Sequence, residues 1–297
     1  MITLTEPFRI QTPAKINLFL YIQKKRDDGY HELLMDLIPV SFFDEIHFSP
    51  ANDHTIQITS NSGEIANQNN LVVKAIQLLS HEINEQISIC AQLNKSIPIG
   101  AGLGGGSGNA AGTMVALNQK LKLGIKTDRL KILAKSIGAD VPFFITPQPA
   151  IAKGIGEQLS PISDFKPFHV IIIFPNYSIA TKTAYANCYI SGRRDGIPDY
   201  SLKTLRTLDL TLMNDFWQTL AKDHSFLGVG KTLASHTDPV AFGLSGSGSA
   251  MYAIYETAGK QQHALQYFKN NTRWSLYPCL TMRSYAYLPE SPKTESC

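Results

Sequence analysis

The sequence predicts an α+β protein of two domains. The chain has 297 residues, 43% of them hydrophobic and 17% charged, which is enough to build a sizeable core. Strand-like and helix-like segments alternate along it, without an internal repeat, low-complexity tract or long linker in the sequence. We place the boundary after Gly156, so that the N-terminal domain covers residues 1–156 and the C-terminal domain residues 157–297.

The elements of the first half follow from hydrophobic periodicity and from stop signals. Residues 15–22, KINLFLYI, predict a strand with Lys15 and Asn17 on one face and aliphatic side chains on the other. Asn70 is suited to cap the helix that follows it. Further strands are predicted at residues 37–48, 54–59 and 86–97, and helices at residues 71–83, 109–121 and 127–138.

The second half predicts an α+β domain of the split βαβ kind. Its first strand, HVIIIF at residues 169–174, is almost entirely apolar and is expected to be buried. The other strands are predicted at residues 249–255 and 274–284, and helices at residues 212–222, 229–235 and 258–271.

Net charge and cysteine spacing argue against a nucleic-acid-binding protein and against a disulfide-rich or zinc-binding one. A net charge of +3 is far from the clustered basic surface of a nucleic-acid-binding protein, so no nucleic acid partner is expected. The four cysteines are far apart and show no metal-ligand spacing, which disfavours a disulfide framework or a zinc site. The N-terminus lacks signal-peptide features, and the longest aliphatic run is too short to span a bilayer. We therefore expect a cytoplasmic protein, monomeric or homodimeric, with a small-molecule substrate and no membrane partner.

The most informative stretch is PIGAGLGGGSGNAAG, residues 98–112, in which seven of fifteen residues are glycine. A flexible loop rarely needs so many glycines directly before a helix. Gly100, Gly102 and Gly105 satisfy the GxGxxG pattern of dinucleotide-binding proteins, but a helix start stands where an acidic residue is expected about 20 positions on. The run contains no Walker A pattern. SFLGVGKT at residues 225–232 lacks the first glycine and the preceding strand of that motif, so we interpret it as part of a helix–turn–helix junction.

A phosphate-binding loop of another kind accounts for the same residues. Small residues let successive backbone N–H groups converge on an anion, and the N-terminus of the following helix adds partial positive charge. Ser107 supplies a hydroxyl for phosphate or Mg²⁺. The run therefore predicts a site for a phosphorylated ligand.

Three motifs resemble those of the GHMP kinases, the superfamily of galactokinase, homoserine kinase and mevalonate kinase. The glycine-rich run resembles the ATP-binding motif of that superfamily, residues 13–22 resemble its first motif, and FGLSGSGSAMYAIY at residues 242–255 resembles its third. The resemblance implies the two-domain GHMP kinase fold, with a cleft between an ATP-binding domain and a substrate-side domain. It also implies ATP and Mg²⁺ as cofactors, with Ser107 as the candidate Mg²⁺ ligand.

Further details resemble the branch of this superfamily that phosphorylates a cytidyl-diphospho methylerythritol in non-mevalonate isoprenoid synthesis. They are DDGYHEL, the GGGS variant of the loop and GADVPFF, at residues 27–33, 104–107 and 138–144. The resemblance implies transfer of the γ-phosphate of ATP to the tertiary 2-hydroxyl of the methylerythritol unit.

The resemblance also implies which groups react. Asp140 corresponds to the catalytic base, which would accept the hydroxyl proton. Lys15 corresponds to its partner, which would keep Asp140 ionised or steady the transferring phosphoryl group. Without the family, both have plainer interpretations, a turn aspartate and a lysine at a strand end.

The remaining correspondences are to ligand-binding positions. The nucleotide positions are Pro98, Gly100, Gly102, Leu103, Gly104, Gly105, Gly106, Ser107, Gly108 and Asn109, with Lys95 and Asn70. The substrate positions are Asn17, Tyr30, His31, Thr181, Tyr185, Gly246, Ser247 and Gly248. Tyr30 would pack on the pyrimidine and His31 would bond its polar edge, while Tyr185, where relatives carry Phe, would form the second side of a base sandwich. Plain structural roles stay open for several of them, such as an exposed lysine at Lys95 and a helix cap at Asn70.

One position departs from the family pattern. Relatives read Ser-Ser-Asn at the end of the loop, whereas this chain reads Ser107-Gly108-Asn109, so one hydroxyl is missing. Either Ser107 alone serves phosphate and Mg²⁺, or the second serine is dispensable. We expect the backbone cradle to persist, because glycine keeps its N–H.

Three other functions stay open on the sequence. The first is another GHMP kinase, acting on mevalonate, homoserine or a sugar, which competition by CDP or CMP would distinguish. The second is a non-catalytic relative that senses a ligand, against which Lys15, Asp140 and Ser107 argue. The third is a nicotinamide-dependent oxidoreductase, which a test of NAD binding would distinguish.

Overall fold

A computed structural model of the chain describes residues 2–51, 55–63, 67, 69–186, 188–194 and 197–291. The described strands are β1 Ile2–Thr3, β2 Phe8–Ile16, β3 Leu20–Lys25, β4 His31–Pro50, β5 Ile56–Ser60, β6 Ile87–Asn94, β7 Ala150–Gly154, β8 Gln158–Pro161, β9 His169–Phe174, β10 Ala241–Leu244, β11 Met251–Tyr255 and β12 Ser275–Leu280. The described helices are α1 Leu71–Glu82, α2 Gly105–Lys120, α3 Thr127–Lys135, α4 Val141–Ile145, α5 Thr181–Ala186, α6 Leu202–Leu205, α7 Asp215–Asp223, α8 Ser225–Ser235 and α9 Ala258–Asn271, with a 3₁₀ turn at Leu210–Met213.

The long strand β4 organises the first sheet, which has eight strands in the described part of the chain. β4 pairs antiparallel with β2, β3, β6 and β7, so its twenty residues connect the whole sheet. Helix α2 packs on β2, α1 and α4, which places its N-terminus beside the end of β2. In chain order, β8 is the last strand of this sheet and β9 is the first strand of the second sheet. The domain boundary after Gly156 stays a proposal.

The strand predicted at residues 15–22 is interrupted after Ile16. The Asp36 carboxylate accepts hydrogen bonds from the backbone N–H groups of Leu18 (2.7 Å) and Phe19 (3.1 Å). These two N–H groups are therefore not available to a neighbouring strand. The prediction of one continuous strand was wrong, and the break leaves the candidate catalytic lysine near the end of β2.

The helix predicted from Asn109 begins earlier, at Gly105. Its N-cap, Gly104, has the left-handed φ of +71° that glycine adopts without strain. Gly102 also has a positive φ, of +75°, and a Cβ there would overlap the carbonyl oxygen of Ser245. The later glycines of the run thus form the first helical turn, and the earlier ones allow a close approach between two parts of the backbone.

The second sheet has the strand order β10-β11-β9-β12, and all of its pairs are antiparallel. Helices α5 to α8 connect β9 to β10, and α9 connects β11 to β12. This is the split βαβ arrangement predicted from the order of the elements.

The segment SFLGVGKT lies within α8, which a single residue, His224, separates from the end of α7. A Walker A loop follows a strand, whereas this segment is helical, and its lysine pairs with a carboxylate: Lys231 Nζ lies 2.8 Å from Asp209 Oδ2. The segment is therefore not a Walker A loop, as predicted, but it is wholly helical, and the junction between the two helices lies just before it, at His224. Among the described residues, no helix is both long and apolar enough to cross a membrane.

The cysteines form no disulfide among the residues that the structure describes. Cys90, Cys188 and Cys279 have free thiols, and Cys297 lies outside the described residues.

Candidate active site

A cavity of about 1110 Å³ brings together segments from both halves of the sequence. Its walls come from the end of β2, the glycine-rich run, the residue before α4, helix α5 and the turn between β10 and β11. The predicted site residues that line it are Lys15, Tyr30, His31, Asn70, Lys95, Pro98, Gly100, Gly102, Leu103, Gly104, Gly105, Gly106, Ser107, Asn109, Asp140, Thr181, Tyr185, Gly246 and Ser247. Of the described residues predicted for the site, Asn17, Gly108 and Gly248 lie behind this lining.

Lys15 reaches the cavity from the end of β2, where the rest of its side chain is buried. Its ammonium group donates hydrogen bonds to Asn17 Oδ1 (2.7 Å) and to the Gly102 carbonyl (2.8 Å). The Asn17 amide in turn donates to the backbone carbonyl of Asp36. Burial lowers the pKa of Lys15, while the negative charges of Asp140 and Asp36 oppose that effect. The lysine is thus held in one orientation before any ligand binds.

Asp140 faces the same cavity from the residue that precedes α4. No described residue donates a hydrogen bond to its carboxylate, which is only partly buried. Its charge opposes the loss of the proton from Lys15, and together with burial it raises the pKa of Tyr185. The carboxylate is therefore available to accept a proton from a bound hydroxyl group, with a buried cation nearby.

The N-terminus of α2 also opens into the cavity, which Gly105, Gly106 and Ser107 line. The first backbone hydrogen bond of this turn is that from Gly108 N–H to the Gly104 carbonyl, 2.9 Å. The N–H groups that precede it have no partner within the helix, as at every helix N-terminus. These donors and the helix dipole make the turn suited to an anion such as phosphate.

Lys95 is a buried lysine, contrary to its plain interpretation as an exposed one. Its ammonium group pairs with the buried carboxylate of Asp44 and donates to Asn109 Oδ1 (3.2 Å). The Asn109 amide donates to Asp44 Oδ2 (2.9 Å) and to Thr12 Oγ1 (2.7 Å). Burial lowers the pKa of Lys95, and Asp44 opposes that change. This network joins the start of α2 to the sheet, and no motif in the sequence pointed to its central residue, Asp44.

Asn70 serves as the N-cap predicted for it and lines the cavity as well. Its Oδ1 accepts a hydrogen bond from Val72 N–H at 2.8 Å, which satisfies one donor of the first turn of α1.

Aromatic side chains form the other end of the cavity. The rings of His31 and Tyr185 stack with centroids 5.0 Å apart, and the rings of Tyr185 and Phe216 are perpendicular with centroids 4.9 Å apart. Burial and the nearby charge of Lys25 lower the pKa of His31, so the imidazole is neutral near pH 7 and has one donor and one acceptor nitrogen. Tyr30 lies at the rim and is 59% exposed.

Several lining residues were not found by sequence reasoning. They are Lys25, Asn67, Asn69, Lys182, Cys188 and Ile190. Lys182 lies between the predicted residues Thr181 and Tyr185, and Asn69 directly precedes Asn70. The others belong to no motif quoted above, and they reach the cavity because the chain folds them there.

Known proteins resemble this chain in both sequence and fold. Residues 70–148 match the family described as the GHMP kinases N terminal domain. A 4-diphosphocytidyl-2-C-methyl-D-erythritol kinase of Bacteroides thetaiotaomicron is 37% identical over 251 residues, which cover 83% of this chain and 91% of the relative. The chain belongs to the 4-diphosphocytidyl-2-C-methyl-D-erythritol kinase family.

Other members of the 4-diphosphocytidyl-2-C-methyl-D-erythritol kinase family give the same result. The enzyme of Chlorobium luteolum is 36% identical over 264 residues, covering 85% of this chain and 90% of the relative. A crystal structure titled 4-(cytidine 5'-diphospho)-2C-methyl-D-erythritol kinase superposes with a TM-score of 0.79 at 27% identity, over 92% of this chain and 99% of that one. Homoserine kinase from Cytophaga hutchinsonii, at 16% identity and a TM-score of 0.66, shares the fold. The predicted α+β GHMP kinase fold is confirmed.

Proposed function

We propose that this chain transfers the γ-phosphate of ATP to the 2-hydroxyl of 4-diphosphocytidyl-2-C-methyl-D-erythritol, on the non-mevalonate route to isoprenoid precursors. The observation that best supports this proposal is that Asp140, Lys15 and the N-terminus of α2 line one cavity, in a chain of this kinase family. That cavity has a phosphate-binding end and an aromatic end, as a nucleotide-linked acceptor requires.

Phosphoryl transfer depends mainly on positioning and on charge stabilisation. In the proposed reaction the Asp140 carboxylate takes the proton of the 2-hydroxyl, and the oxygen attacks the γ-phosphorus in line as ADP leaves. The Lys15 ammonium stabilises the negative charge that builds up on the transferring group, and the turn at Gly105 and Gly106 holds phosphate oxygens. Asn17 orients Lys15 through the hydrogen bond described above.

The protein groups fit a Mg²⁺ ion that is held mostly by phosphate. Within the described residues, no cluster of three or more His, Cys, Asp or Glu side chains is placed to bind a metal by itself. Mg²⁺ usually takes one or two protein oxygens together with waters and substrate phosphates. We propose that the Ser107 hydroxyl, which lines the cavity, is one of those oxygens. When bound, the ion would neutralise charge on the phosphates.

The aromatic end supports recognition of a cytosine base. A neutral His31 has the donor and acceptor that the polar edge of cytosine requires, and the exposed ring of Tyr30 offers a face for stacking. One face of Tyr185 stacks on His31, so this pair forms the wall of the pocket opposite Tyr30. Lys25 and Lys182 also line the cavity, and neither forms an ion pair with another described residue, so both can face the diphosphate of the substrate.

A coupled assay of ADP release tests the proposal with four acceptors: the cytidyl substrate, mevalonate, homoserine and galactose. We expect turnover with the cytidyl substrate alone, and competitive inhibition by CDP or CMP. Turnover of another acceptor without CMP inhibition would refute the assignment in favour of another GHMP kinase. ATP binding without transfer to any acceptor would favour a ligand sensor.

We further propose that residues 1–156 form the ATP-binding domain and residues 157–297 the substrate-side domain of a cytoplasmic monomer or homodimer. Sedimentation velocity would distinguish the two assembly states.

A further inference from the structure

Two adjacent buried polar residues, Asn214 and Asp215, lie outside the cavity but bond to its walls. Their side chains are at the start of α7 and are 2% and 3% exposed. Neither contributes to the cavity lining, and neither belongs to the motifs that identified the kinase.

The Asn214 side chain uses all of its hydrogen-bonding groups. Its amide donates to the carbonyls of Leu244 and Gly246, both at 2.9 Å, and its Oδ1 accepts from Phe216 N–H at 3.0 Å. Asn214 therefore ties the first turn of α7 to the turn between β10 and β11.

That turn touches the catalytic lysine. A Cβ on Gly246 would lie 3.1 Å from Lys15 Nζ and 3.3 Å from Asn17 Oδ1. The preceding Ser245 hydroxyl donates at 3.0 Å to the Gly102 carbonyl, which also accepts from Lys15. A displacement of the turn would thus move the groups that orient Lys15.

The Asp215 carboxylate bonds to a different wall. Its Oδ2 accepts from the backbone N–H of Ile22 and from the Ser191 hydroxyl, both at 2.6 Å. The segment around Ser191 is also held by a hydrogen bond from Gly192 N–H to the Ile22 carbonyl, 3.1 Å. Ile190, next to Ser191, lines the cavity, and β3 leads into the turn that carries Tyr30. Asp215 therefore connects two parts of the aromatic end.

We propose that Asn214 and Asp215 are positioning residues with separate targets. Asn214 holds the Gly246 turn against Lys15 and so sets the rate of phosphoryl transfer. Asp215 holds the wall of the cytidyl pocket and so sets the affinity for the acceptor. The inference rests on the proposed function.

Steady-state kinetics of Asn214→Ala and Asp215→Ala test the separation. Loss of buried hydrogen bonds should lower kcat by about tenfold or more in Asn214→Ala, with the KM for the cytidyl substrate changed less than about threefold. Asp215→Ala should raise that KM by about tenfold or more while kcat and the KM for ATP change less than about threefold. Asp215→Asn keeps an acceptor oxygen for Ile22 and Ser191 and should recover most of the affinity.

Milder variants keep the test decisive if either alanine variant fails to fold. Ser245→Ala removes one bond of the turn and should lower kcat, whereas Ser191→Ala removes one bond to Asp215 and should raise only the KM for the acceptor. A wild type that does not turn over the cytidyl substrate would refute the proposed function and this inference with it. A normal wild type whose variants lose kcat and affinity in the same proportion would overturn the inference alone.

Discussion

Lys15 and Asp140 face one cavity without forming an ion pair among the described residues. The Lys15 ammonium group donates hydrogen bonds to Asn17 Oδ1 and to the Gly102 carbonyl, at 2.7 and 2.8 Å. It interacts electrostatically with the charge of Asp140 over a greater distance. A direct ion pair would occupy the carboxylate that we propose as the proton acceptor. The arrangement instead leaves Asp140 available and keeps the cation oriented.

Replacing Asp140 by Asn should remove turnover and leave ATP binding intact. The amide cannot accept the hydroxyl proton, so we expect kcat to fall by about 10²–10⁴-fold. Equilibrium binding of ATP should match the wild type, because the phosphate site that we propose is the N-terminus of α2, whose residues Gly105, Gly106 and Ser107 line the cavity. Asp164→Asn, at an exposed aspartate that does not line the cavity, is the matched control. Near-normal kcat in the Asp140 variant would rule it out as the base.

The activity should decline at alkaline pH because Lys15 loses its proton. Burial lowers the pKa of Lys15 below the usual 10.5. We expect only the ammonium form of Lys15 to support phosphoryl transfer. Its contribution to activity is therefore complete below this lowered pKa and disappears as the pH rises through it. The pH profile of kcat/KM, which reports groups of the free enzyme, should therefore show a decline whose midpoint lies below 10.5.

The variant Lys15→Met provides the control for that decline. Its kcat should be lower by about 10²–10³-fold, and its residual activity should lack the alkaline decline. If the activity of the wild type declines only at or above the ordinary lysine pKa, or if the methionine variant shows the same decline, the decline does not come from Lys15.

Restoring serine at Gly108 should destabilise the protein. A Cβ at this buried position would lie 2.8 Å from the Pro13 carbonyl oxygen, a backbone atom that cannot rotate away. We expect a loss of about 1–3 kcal/mol in the free energy of unfolding, measured with urea. Gly228→Ser in α8, where a Cβ meets nothing within 4 Å, should be neutral or slightly stabilising. Equal effects of the two variants would show that the close approach of α2 to β2 is unimportant.

The stability of the protein should depend on pH through Asp36. Burial raises the pKa of this carboxyl from 3.8 to about 7, and one of its oxygens has no hydrogen-bond partner among the described residues. Between these values the folded state binds more protons than the unfolded state, so the free energy of unfolding decreases as the pH rises. The decrease is complete above the folded pKa and absent below the unfolded one.

The variant Asp36→Asn isolates this contribution, because its amide oxygen can still accept from Leu18 and Phe19. Between about pH 5 and about pH 8, the free energy of unfolding should decrease by about 3 kcal/mol more in the wild type than in the variant. Urea unfolding at both pH values measures the difference. Parallel pH dependence of the two proteins would contradict a raised pKa at Asp36.

The features of the fold that the sequence predicted correctly are those that depend on residues close together along the chain. Asn70 caps α1 because the side-chain oxygen and the N–H that it accepts from are only two residues apart. The split βαβ order of the second sheet followed from periodicity, and the anion-binding turn followed from the glycine run. The start of α2 was placed too late, because glycine lowers helix propensity while packing on the sheet stabilises the turn.

The sequence by itself therefore determined the family, and it predicted the glycine turn and the candidate reacting residues, since each is carried by a contiguous motif. Tertiary structure alone decided what holds those residues in place. At the break after β2, Asp36 accepts from the backbone of Leu18. Asp44 and Lys95 pair beside the start of α2, and Asp215 accepts from the hydroxyl of Ser191. These partners are buried polar groups, and each requires a hydrogen-bonding partner once water is excluded. Which partner it finds depends on how strands and helices distant in sequence pack, and no local pattern records that.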